Sequence, residues 1–264
     1  PLTSPLSSLR IATMKRRQVL ATLAATVPAV AFGRSSEPSA KKGWAGGDAK
    51  LHKLFGANWY YTWSPKTRPS KSTEFVPMIK GEWSLKQAGD IKRMNGISHL
   101  LGFNEPERSK QGNVTLDRAL DLWPKLVEIA EAKNLQLGSP APSSDRGGMA
   151  WFEEFMKQAK RRKLRVDFIA MHWYRSRNAD AFEDFVKDLA RSYRLPIWIT
   201  EFNGWSGPEK EHYEFLKDSL KFLERSRDVE RYAYFNPGKG KPHSLLKNDG
   251  SLTRIGELYR DAGS

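Results

Sequence analysis

The folded part of the chain alternates short apolar runs with longer amphipathic segments, and this alternation constrains the fold most. Each run is too short for a helix and too apolar for a strand with one side in water, which is typical of strands buried in a parallel sheet. The candidate strands occupy 54–63, 75–81, 97–105, 135–141, 167–174, 196–203, 231–237 and 244–249. Seven or eight strands alternating with helices predict a single-domain α/β fold, a (β/α)8 TIM barrel. An open doubly wound sheet is the alternative, but no glycine-rich phosphate-binding turn follows any run.

The segments between the runs carry apolar residues at helical spacing. The clearest one begins after Thr115, a residue type that caps helices, and Pro124 is expected to kink it. Two further apolar stripes start at Phe182 and Tyr213. We expect all three stripes to face the core.

The N-terminal part of the chain has the layout of an export signal. Residues 14–33 place a basic head with the pair Arg16-Arg17 before a short apolar stretch and then small residues. This pattern predicts that 1–33 is an extension plus a cleavable, twin-arginine-like signal peptide, with export to the periplasm or the outside of the cell. The apolar stretch is too short and too polar to span a bilayer, so no stable membrane anchor is expected. The polar, glycine-rich segment 34–50 is interpreted as a flexible linker, and 51–264 as the folded domain.

Composition excludes several kinds of site. The chain has no cysteine, and its five histidines show no paired metal-binding spacing. Thiol catalysis, disulfides and zinc–thiolate sites are therefore excluded, and no metal or cofactor is expected. The net charge is +14, and removing the four basic residues of 1–33 leaves +10. The basic residues are scattered, which favours a generally basic surface over a nucleic-acid site. We expect a monomer.

Polar and aromatic residues gather where the predicted strands end. In a barrel of alternating strands and helices, chemistry belongs at the carboxyl ends of the strands. The residues there that we single out as candidate site residues are Trp59, Tyr61, Asn104, Glu105, His172, Trp173, Tyr174, Glu201, Asn203 and Trp205.

Two carboxylates among these residues form a candidate catalytic pair. Glu105 ends the third predicted strand and Glu201 lies in the sixth, so a barrel would bring them to opposite sides of one opening. Two carboxylates flanking a bond are what glycoside hydrolysis requires, one carrying a proton and the other ionised. Glu107 and Asp145 lie further into loops and are less favoured.

Five blocks of this sequence resemble the signature blocks of glycoside hydrolase family 128. They are "LLGFNEPE", "LGSPAP", "DFIAMHWY", "IWITEFN" and "RYAYF", in this order, and the resemblance extends over roughly 54–260. It implies a (β/α)8 barrel that hydrolyses β-1,3-glucan with retention of configuration. Cleavage within the glucan chain is expected, without a cofactor.

The resemblance also implies roles for individual residues. Glu105 would be the general acid/base and Glu201 the nucleophile. Asn104 would bind the sugar 2-hydroxyl, while His172 and Tyr174 would orient the nucleophile and line the cleft. Retention predicts a separation of about 5–5.5 Å between the two carboxyl groups. Sugar stacking is expected from Trp59, Tyr61, Trp173 and Trp205, and Asn203 is a further binding candidate.

Two features depart from the family pattern. The related enzymes carry their glutamates on strands four and seven, whereas the runs above give three and six, which indicates one missed strand. Tyr234 stands where many relatives have Trp, so the size of one sugar subsite does not carry over from the family.

Two other functions remain open from the sequence. A related retaining enzyme could act on β-1,4-mannan, xylan or mixed-linked glucan with the same pair of carboxylates. A secreted carbohydrate-binding protein without catalysis is the other alternative, but it would not need both glutamates.

Overall fold

The computed structural model describes residues 39–66 and 72–263, and within these ranges it contains eight strands, all paired in parallel. They form three sheets whose strand order follows the chain. The first sheet contains β1 (Gly43–Ala45), β2 (Trp59–Tyr61) and β3 (Glu74–Phe75); the second contains β4 (His99–Leu100) and β5 (Gln136–Leu137); the third contains β6 (Ile169–Trp173), β7 (Ile197–Phe202) and β8 (Val229–Tyr234).

Isolated parallel bridges join each sheet to the next. Met78 pairs with Leu101, Gly138 with Phe168, and Lys42 with Tyr232. The last bridge joins Lys42, which directly precedes β1, to β8, so the beginning of the first sheet lies beside the last strand.

Seven α-helices and one 3-10 helix occur in the described ranges. The predicted N-cap is confirmed, because the side chain of Thr115 accepts a hydrogen bond from the backbone of Arg118. The three predicted apolar stripes lie on α3, α5 and α6 and are largely buried. The helices are α1 (Ala49–Leu54), α2 (Ala88–Arg93), α3 (Leu116–Lys133), α4 (Arg146–Arg161), α5 (Ala179–Tyr193), α6 (Glu209–Arg225) and α7 (Arg254–Asp261), with the 3-10 helix at Glu82–Gln87.

Apolar side chains pack in two clusters on opposite faces of the strands. The larger cluster holds strand residues such as Tyr60 and Ile199 against the helices. In the smaller one, Trp198 packs against both Trp59 and Phe168, together with further residues of the strands and the segments that continue them. Because successive residues of a strand point to opposite faces, both faces of these strands are buried, as the apolar runs predict.

The linker prediction for 34–50 is wrong over its described part. Strand β1 lies there, and a Cβ on Gly43 would be 2.2 Å from the ring of Trp59, so this glycine is packed tightly. Lys41 Nζ donates to the last carbonyls of α6 and to Ser226, and Lys42 Nζ donates to Tyr259, Arg260 and Ala262 at the end of α7. Both lysines neutralise helix C-termini, which is why a polar stretch is folded here.

Strand β1 is also the strand that the sequence count missed. With β1 included, Glu105 follows β4 and Glu201 lies in β7, so the expected numbering is restored. The first predicted run, 54–63, splits between the end of α1 and β2. The last run, 244–249, holds no strand, only an isolated antiparallel bridge from Leu246 to Leu252.

The signal peptide and its cleavage site fall outside the described residues. No helix within 39–66 or 72–263 has the length and apolarity that crossing a membrane requires.

Candidate active site

A cleft of about 1060 Å³ opens where the carboxyl ends of the strands meet. Trp63, Glu105, Tyr174, Glu201 and Phe235 line it, and they come from the ends of β2, β4, β6, β7 and β8. The structure thus brings both candidate carboxylates into one cavity, as the positions of the polar residues predict. The volume is large enough for several sugar units.

Glu201 is held by three hydrogen-bond donors. Its Oε1 accepts from the Tyr61 hydroxyl at 2.9 Å and from Trp63 Nε1 at 2.8 Å, and its Oε2 accepts from the Tyr174 hydroxyl at 2.5 Å. Tyr61 and Trp63 come from β2 and the segment after it, whereas Tyr174 follows β6. All three groups donate, so the side chain is fixed as an acceptor in one orientation.

The two tyrosines keep their protons. Burial, followed by the negative charge of Glu201, raises the pKa of both Tyr61 and Tyr174 well above the usual value for a phenol. A phenol that ionised here would place a second negative charge beside Glu201 without water to solvate it. Both hydroxyls therefore remain donors across the physiological pH range.

Glu105 adopts a strained backbone conformation that directs it into the cleft. Its φ is +40°, in the left-handed region, which a residue with a side chain rarely adopts. The conformation is held because the Glu105 N–H donates to the carbonyl of Ala141 at 2.7 Å, across from the strand beside it. Strain of this kind costs about 1–3 kcal/mol and concentrates at functional sites.

His172 lies between the two glutamates and is fully buried. Its Nδ1 is 3.2 Å from Glu105 Oε1, and its Nε2 is 3.5 Å from Glu201 Oε1. Burial lowers the pKa of His172, but the charges of Glu201 and Glu105 outweigh this effect and raise it above the ordinary value. One imidazole therefore couples the two carboxylates electrostatically.

The same contact acts on Glu105 in the opposite direction. Burial tends to raise the pKa of Glu105, but the hydrogen bond and charge of His172, together with the charge of Arg108, lower it below the ordinary value. The sequence leads us to expect a proton on one of the two carboxyls during catalysis, whereas the surroundings of Glu105 in the free protein favour its ionised form. The reason is the imidazole, which supplies positive charge on the buried side.

An aromatic wall flanks the carboxylates. It consists of Trp63, Tyr174, Trp205 and Phe235, with Tyr174 in edge contact with Trp205 at 5.7 Å and with Phe235 at 5.9 Å between ring centroids. Trp63 contacts Phe235 at 6.1 Å. Trp205 is 63% exposed and, like Trp63, has a positive φ. Flat apolar rings at the edge of a polar cleft suit the apolar faces of sugars.

The sequence and the fold match known glycoside hydrolases. A family model described as the glycosyl hydrolase catalytic core matches residues 40–259. Among solved structures, a subgroup I endo-β-1,3-glucanase of glycoside hydrolase family 128 from Amycolatopsis mediterranei, in complex with laminaritriose, is 32% identical with a TM-score of 0.74. The alignment covers 85% of this chain and 100% of that one. The chain belongs to glycoside hydrolase family 128.

Two other members of family 128 are similar to a comparable degree. A subgroup II endo-β-1,3-glucanase from Sorangium cellulosum is 29% identical, with a TM-score of 0.73 over 84% of this chain and 98% of that one. A subgroup III curdlan-specific exo-β-1,3-glucanase from Blastomyces gilchristii, in complex with glucose, is 30% identical, with a TM-score of 0.71 over 85% of this chain and all of the other. The search of curated proteins found no match.

Two of the tryptophans predicted to stack on sugars do not line the cleft of this glycoside hydrolase. Trp59 is fully buried, donates from Nε1 to the carbonyl of Lys41, and packs on Trp198. Trp173 is buried against Phe182 on α5. Trp173 faces the helices because successive strand residues alternate in direction, whereas Trp59 faces the smaller cluster and lies further from the carboxyl end of β2 than Tyr61.

Tyr61 and Asn203 also have other contacts than those expected. Tyr61 is fully buried and binds Glu201 through its hydroxyl, so its ring offers no surface to a sugar. Asn203 is buried, donates from Nδ2 to the carbonyl of Phe235, and accepts from the backbone of Trp205 through Oδ1. It fixes the turn that carries Trp205 and does not line the cleft.

Asn104 is the polar neighbour of Glu105 in the cleft of this enzyme. It lines the cleft, and its Oδ1 is buried without a hydrogen-bond partner among the described residues. Its backbone bonds to Lys80 and Gly112 hold it in place. A buried acceptor without a partner is costly, so Oδ1 is suited to accept from a ligand hydroxyl.

Several lining residues were missed from the sequence. Trp63, Phe235 and Arg108 line the cleft, and none of them is among the candidate residues predicted from the sequence. Trp63 could have been found from its position two residues beyond Tyr61, on the same face of an extended chain. Arg108 carries no such signal, because its position depends on the loop between β4 and α3.

Proposed function

We propose that this family 128 protein is a retaining β-1,3-glucanase that cleaves within the glucan chain. The observation that carries the proposal is the contact of Glu105 and Glu201 with opposite nitrogens of one buried imidazole, at the base of an open, aromatic-walled cleft. The β-1,3 linkage follows from the neighbours named above, two endo-β-1,3-glucanases and one exo-β-1,3-glucanase.

Glu201 is the nucleophile in this proposal. Its Oε1 already accepts two hydrogen bonds, whereas Oε2 accepts one, from Tyr174. Oε2 therefore has the free lone pair that attacks the anomeric carbon and displaces the glycosidic oxygen. The three donors hold the carboxylate in place, so little reorganisation is needed when the glycosyl ester forms.

Glu105 is the general acid and then the general base. It protonates the departing glycosidic oxygen, and in the second half of the reaction it takes a proton from the water that hydrolyses the ester. Its pKa is lowered in the free protein, so it must gain a proton for the first step. A bound sugar chain displaces water from the cleft and disfavours the charged carboxylate, which raises its pKa in the complex.

His172 assists by holding both carboxylates. When Glu201 becomes a neutral ester, the imidazole loses one of the negative charges that raise its pKa. Loss of the negative charge of Glu201 in itself favours the ionised form of Glu105, which must act as a base in the second step.

The fold that supports this chemistry is proposed to be a closed (β/α)8 barrel. Consecutive strand order, bridges between the sheets, and the pairing of Lys42, just before β1, with Tyr232 of β8 all support closure. The smaller apolar cluster, formed by residues of the strands and their continuations, is what the interior of such a barrel requires. The cleft then lies at the carboxyl-terminal face, where enzymes of this fold have their active sites.

Export through a twin-arginine signal is also part of the proposal. It rests on the order of basic head, apolar stretch and small residues in 14–33. Replacing Arg16 and Arg17 by Lys in the cell of origin should stop export, and normal export of this variant would contradict the signal assignment.

The reaction is tested on a panel of polysaccharides. Laminarin and curdlan should be hydrolysed to a ladder of laminari-oligosaccharides, whereas β-1,4-mannan and xylan should not. Release of glucose alone would indicate exo action, and preferred hydrolysis of a β-1,4 or mixed-linked chain would contradict the substrate assignment. Proton NMR of the first product formed should show the β-anomer, as retention requires.

A further inference from the structure

Arg108 occupies a position between three carboxylates of the cleft. Its Nε is 3.7 Å from Glu105 Oε2 and 3.7 Å from Glu107 Oε1, and its Nη2 is 2.5 Å from Asp145 Oδ2. All four residues line the cleft. The guanidinium is always charged, so it places a permanent positive charge beside the proposed acid/base.

The two oxygens of Glu105 have different partners. Oε1 faces the buried ring of His172, whereas Oε2 faces Arg108 on the open side of the cleft. A proton transferred to or from a substrate must pass through the oxygen that substrate can reach, which is Oε2. Arg108 therefore lies against the oxygen that exchanges the proton.

Asp145 makes a shorter contact with Arg108 than Glu105 does. It caps the N-terminus of α4, where its Oδ1 accepts from the backbone of Gly148 at 2.8 Å. This hydrogen bond, followed by others to the same carboxylate and the charge of Arg108, lowers the pKa of Asp145, which stays ionised. Because Asp145 is fixed to a helix end, its short contact holds the guanidinium away from Glu105.

We propose that Arg108 is a positioning residue that sets the protonation of Glu105 through Oε2, and that Asp145 tunes this effect by holding the guanidinium. The catalytic meaning of this inference rests on the proposed function, but the contact itself does not. When Arg108 lies nearer, it favours the ionised form of Glu105, which acts as a base. When Arg108 is withdrawn, the protonated form of Glu105, which acts as an acid, is favoured.

The other charged and titratable groups around Glu105 must be included in the test. They come from every element packed against it, and they are His172 of β6, Glu201 of β7, Asp145 at the start of α4, the buried phenols Tyr61 and Tyr174, and Glu107 and Arg108 of its own loop. The contact of Arg108 is partly screened, because its side chain is 47% exposed. A change of about 0.5 pH unit is the expected size for one charge at this distance near water.

The direct experiment is a carbon-13 NMR titration of the Glu105 carboxyl in the full protein, assigned by its absence in E105Q. Arg108→Gln should raise the apparent pKa of Glu105 by about 0.5 unit, because a positive charge is removed. Asp145→Asn should lower it by a similar amount, because the guanidinium is released toward Oε2 and the charge of Asp145, which itself raises the pKa of Glu105, is removed. Asn is itself a good N-cap, so this variant keeps the start of α4.

The double variant R108Q/D145N separates the two roles. If Asp145 acts through Arg108, the effect of D145N should shrink by more than half when Arg108 is absent. An equal effect in both backgrounds would overturn the role of Asp145. Arg175→Gln is the matched control, since Arg175 lines the same cleft but stacks on Trp173 and Phe185, and it should leave the titration of Glu105 unchanged.

The two proposals fail in different ways. An unchanged Glu105 titration in R108Q overturns the role of Arg108, whatever the activity of the protein. Shifted titrations in a protein that hydrolyses no β-1,3-glucan overturn the proposed function and leave the contact intact. If the role of Arg108 and the proposed function are both correct, the alkaline limb of the kcat/KM–pH profile should move to higher pH in R108Q and to lower pH in D145N.

Discussion

The Nδ1 atom of His172 lies 3.2 Å from Oε1 of Glu105, inside a site where the ring has no exposure to solvent. The two groups perturb each other in opposite senses, raising the pKa of the imidazole and lowering that of the carboxyl. Such a pair contributes to the stability of the fold in a pH-dependent way.

Replacing His172 by Gln should therefore destabilise the protein most in a defined pH window. The contribution of His172 is present below its unfolded pKa of about 6.5 and is lost as the pH rises through the raised folded value. The contribution of Glu105 is present above its unfolded pKa of about 4.5 and is lost as the pH falls through its lowered pKa in the folded protein. The stability difference between wild type and H172Q should be largest between about pH 4.5 and 6.5, measured by urea unfolding.

His212 provides the control for this experiment. Burial, with the neighbouring His243, lowers the pKa of His212 to about 4. Its charged form is disfavoured in the fold, so wild-type stability should fall relative to H212Q as the pH drops from about 6.5. A difference between wild type and H172Q that does not vary with pH would contradict the proposed pairing.

Replacing Tyr174 by Phe should impair catalysis with little effect on stability. The variant loses the 2.5 Å hydrogen bond to Glu201 Oε2, and we expect kcat to fall about 10- to 100-fold. Because the pKa of Tyr174 is raised well above 10, the loss should be the same at every pH below about 9. Steady-state kinetics check this, with Tyr213→Phe on α6 as the control. An unchanged kcat would mean that the hydroxyl does not position the nucleophile.

Replacing Trp205 by Ala should weaken binding of long glucan chains. The ring is 63% exposed at the edge of the cleft, so its removal should raise KM about tenfold while changing the free energy of unfolding by less than about 0.5 kcal/mol. Trp83→Ala is a matched control, since Trp83 is 51% exposed but does not line the cleft. Equal effects of the two substitutions on KM would argue against a stacking role for Trp205.

Replacing Lys42 by Met should destabilise the fold. Its ammonium donates to three carbonyls at the end of α7, and losing these contacts leaves one buried and two part-buried acceptors without their donor. We expect a loss of about 2–4 kcal/mol in the free energy of unfolding, measured with urea. Lys50→Met, on the exposed surface of α1, should change it by less than about 0.5 kcal/mol. A loss no larger than that of the control would show that the capping contacts contribute little.

The position of the glutamates was predictable because it depends on local pattern. An apolar run that ends in Asn-Glu-Pro, and another that contains Thr-Glu-Phe, place Glu105 and Glu201 at strand ends whatever the details of packing. Their meeting in one cleft then follows from a parallel arrangement of strands.

The environment of the aromatic residues was not predictable in the same way. Trp59 and Tyr61 lie on the same face of β2 and in the same core cluster, and both were expected to bind sugar, yet only Tyr61 reaches the site, where its hydroxyl binds Glu201. Trp59 begins β2 and Tyr61 ends it, so Tyr61 lies nearer the cleft. The sequence does not show at which strand position the core gives way to the cleft. Lys41 and Lys42 were missed for a related reason, because a buried lysine and a solvated one look identical in a polar stretch.

Trapping the glycosyl-enzyme tests the central claim most directly. A 2-deoxy-2-fluoro laminaribiosyl fluoride slows the second step, because the electronegative substituent disfavours the charged transition state, so that an ester with the nucleophile accumulates. Mass spectrometry of the digested protein should find one sugar adduct, on the peptide that contains Glu201, and none in E201Q. An adduct on another residue, or continued hydrolysis of laminarin by E201Q at the wild-type rate, would contradict the proposed mechanism.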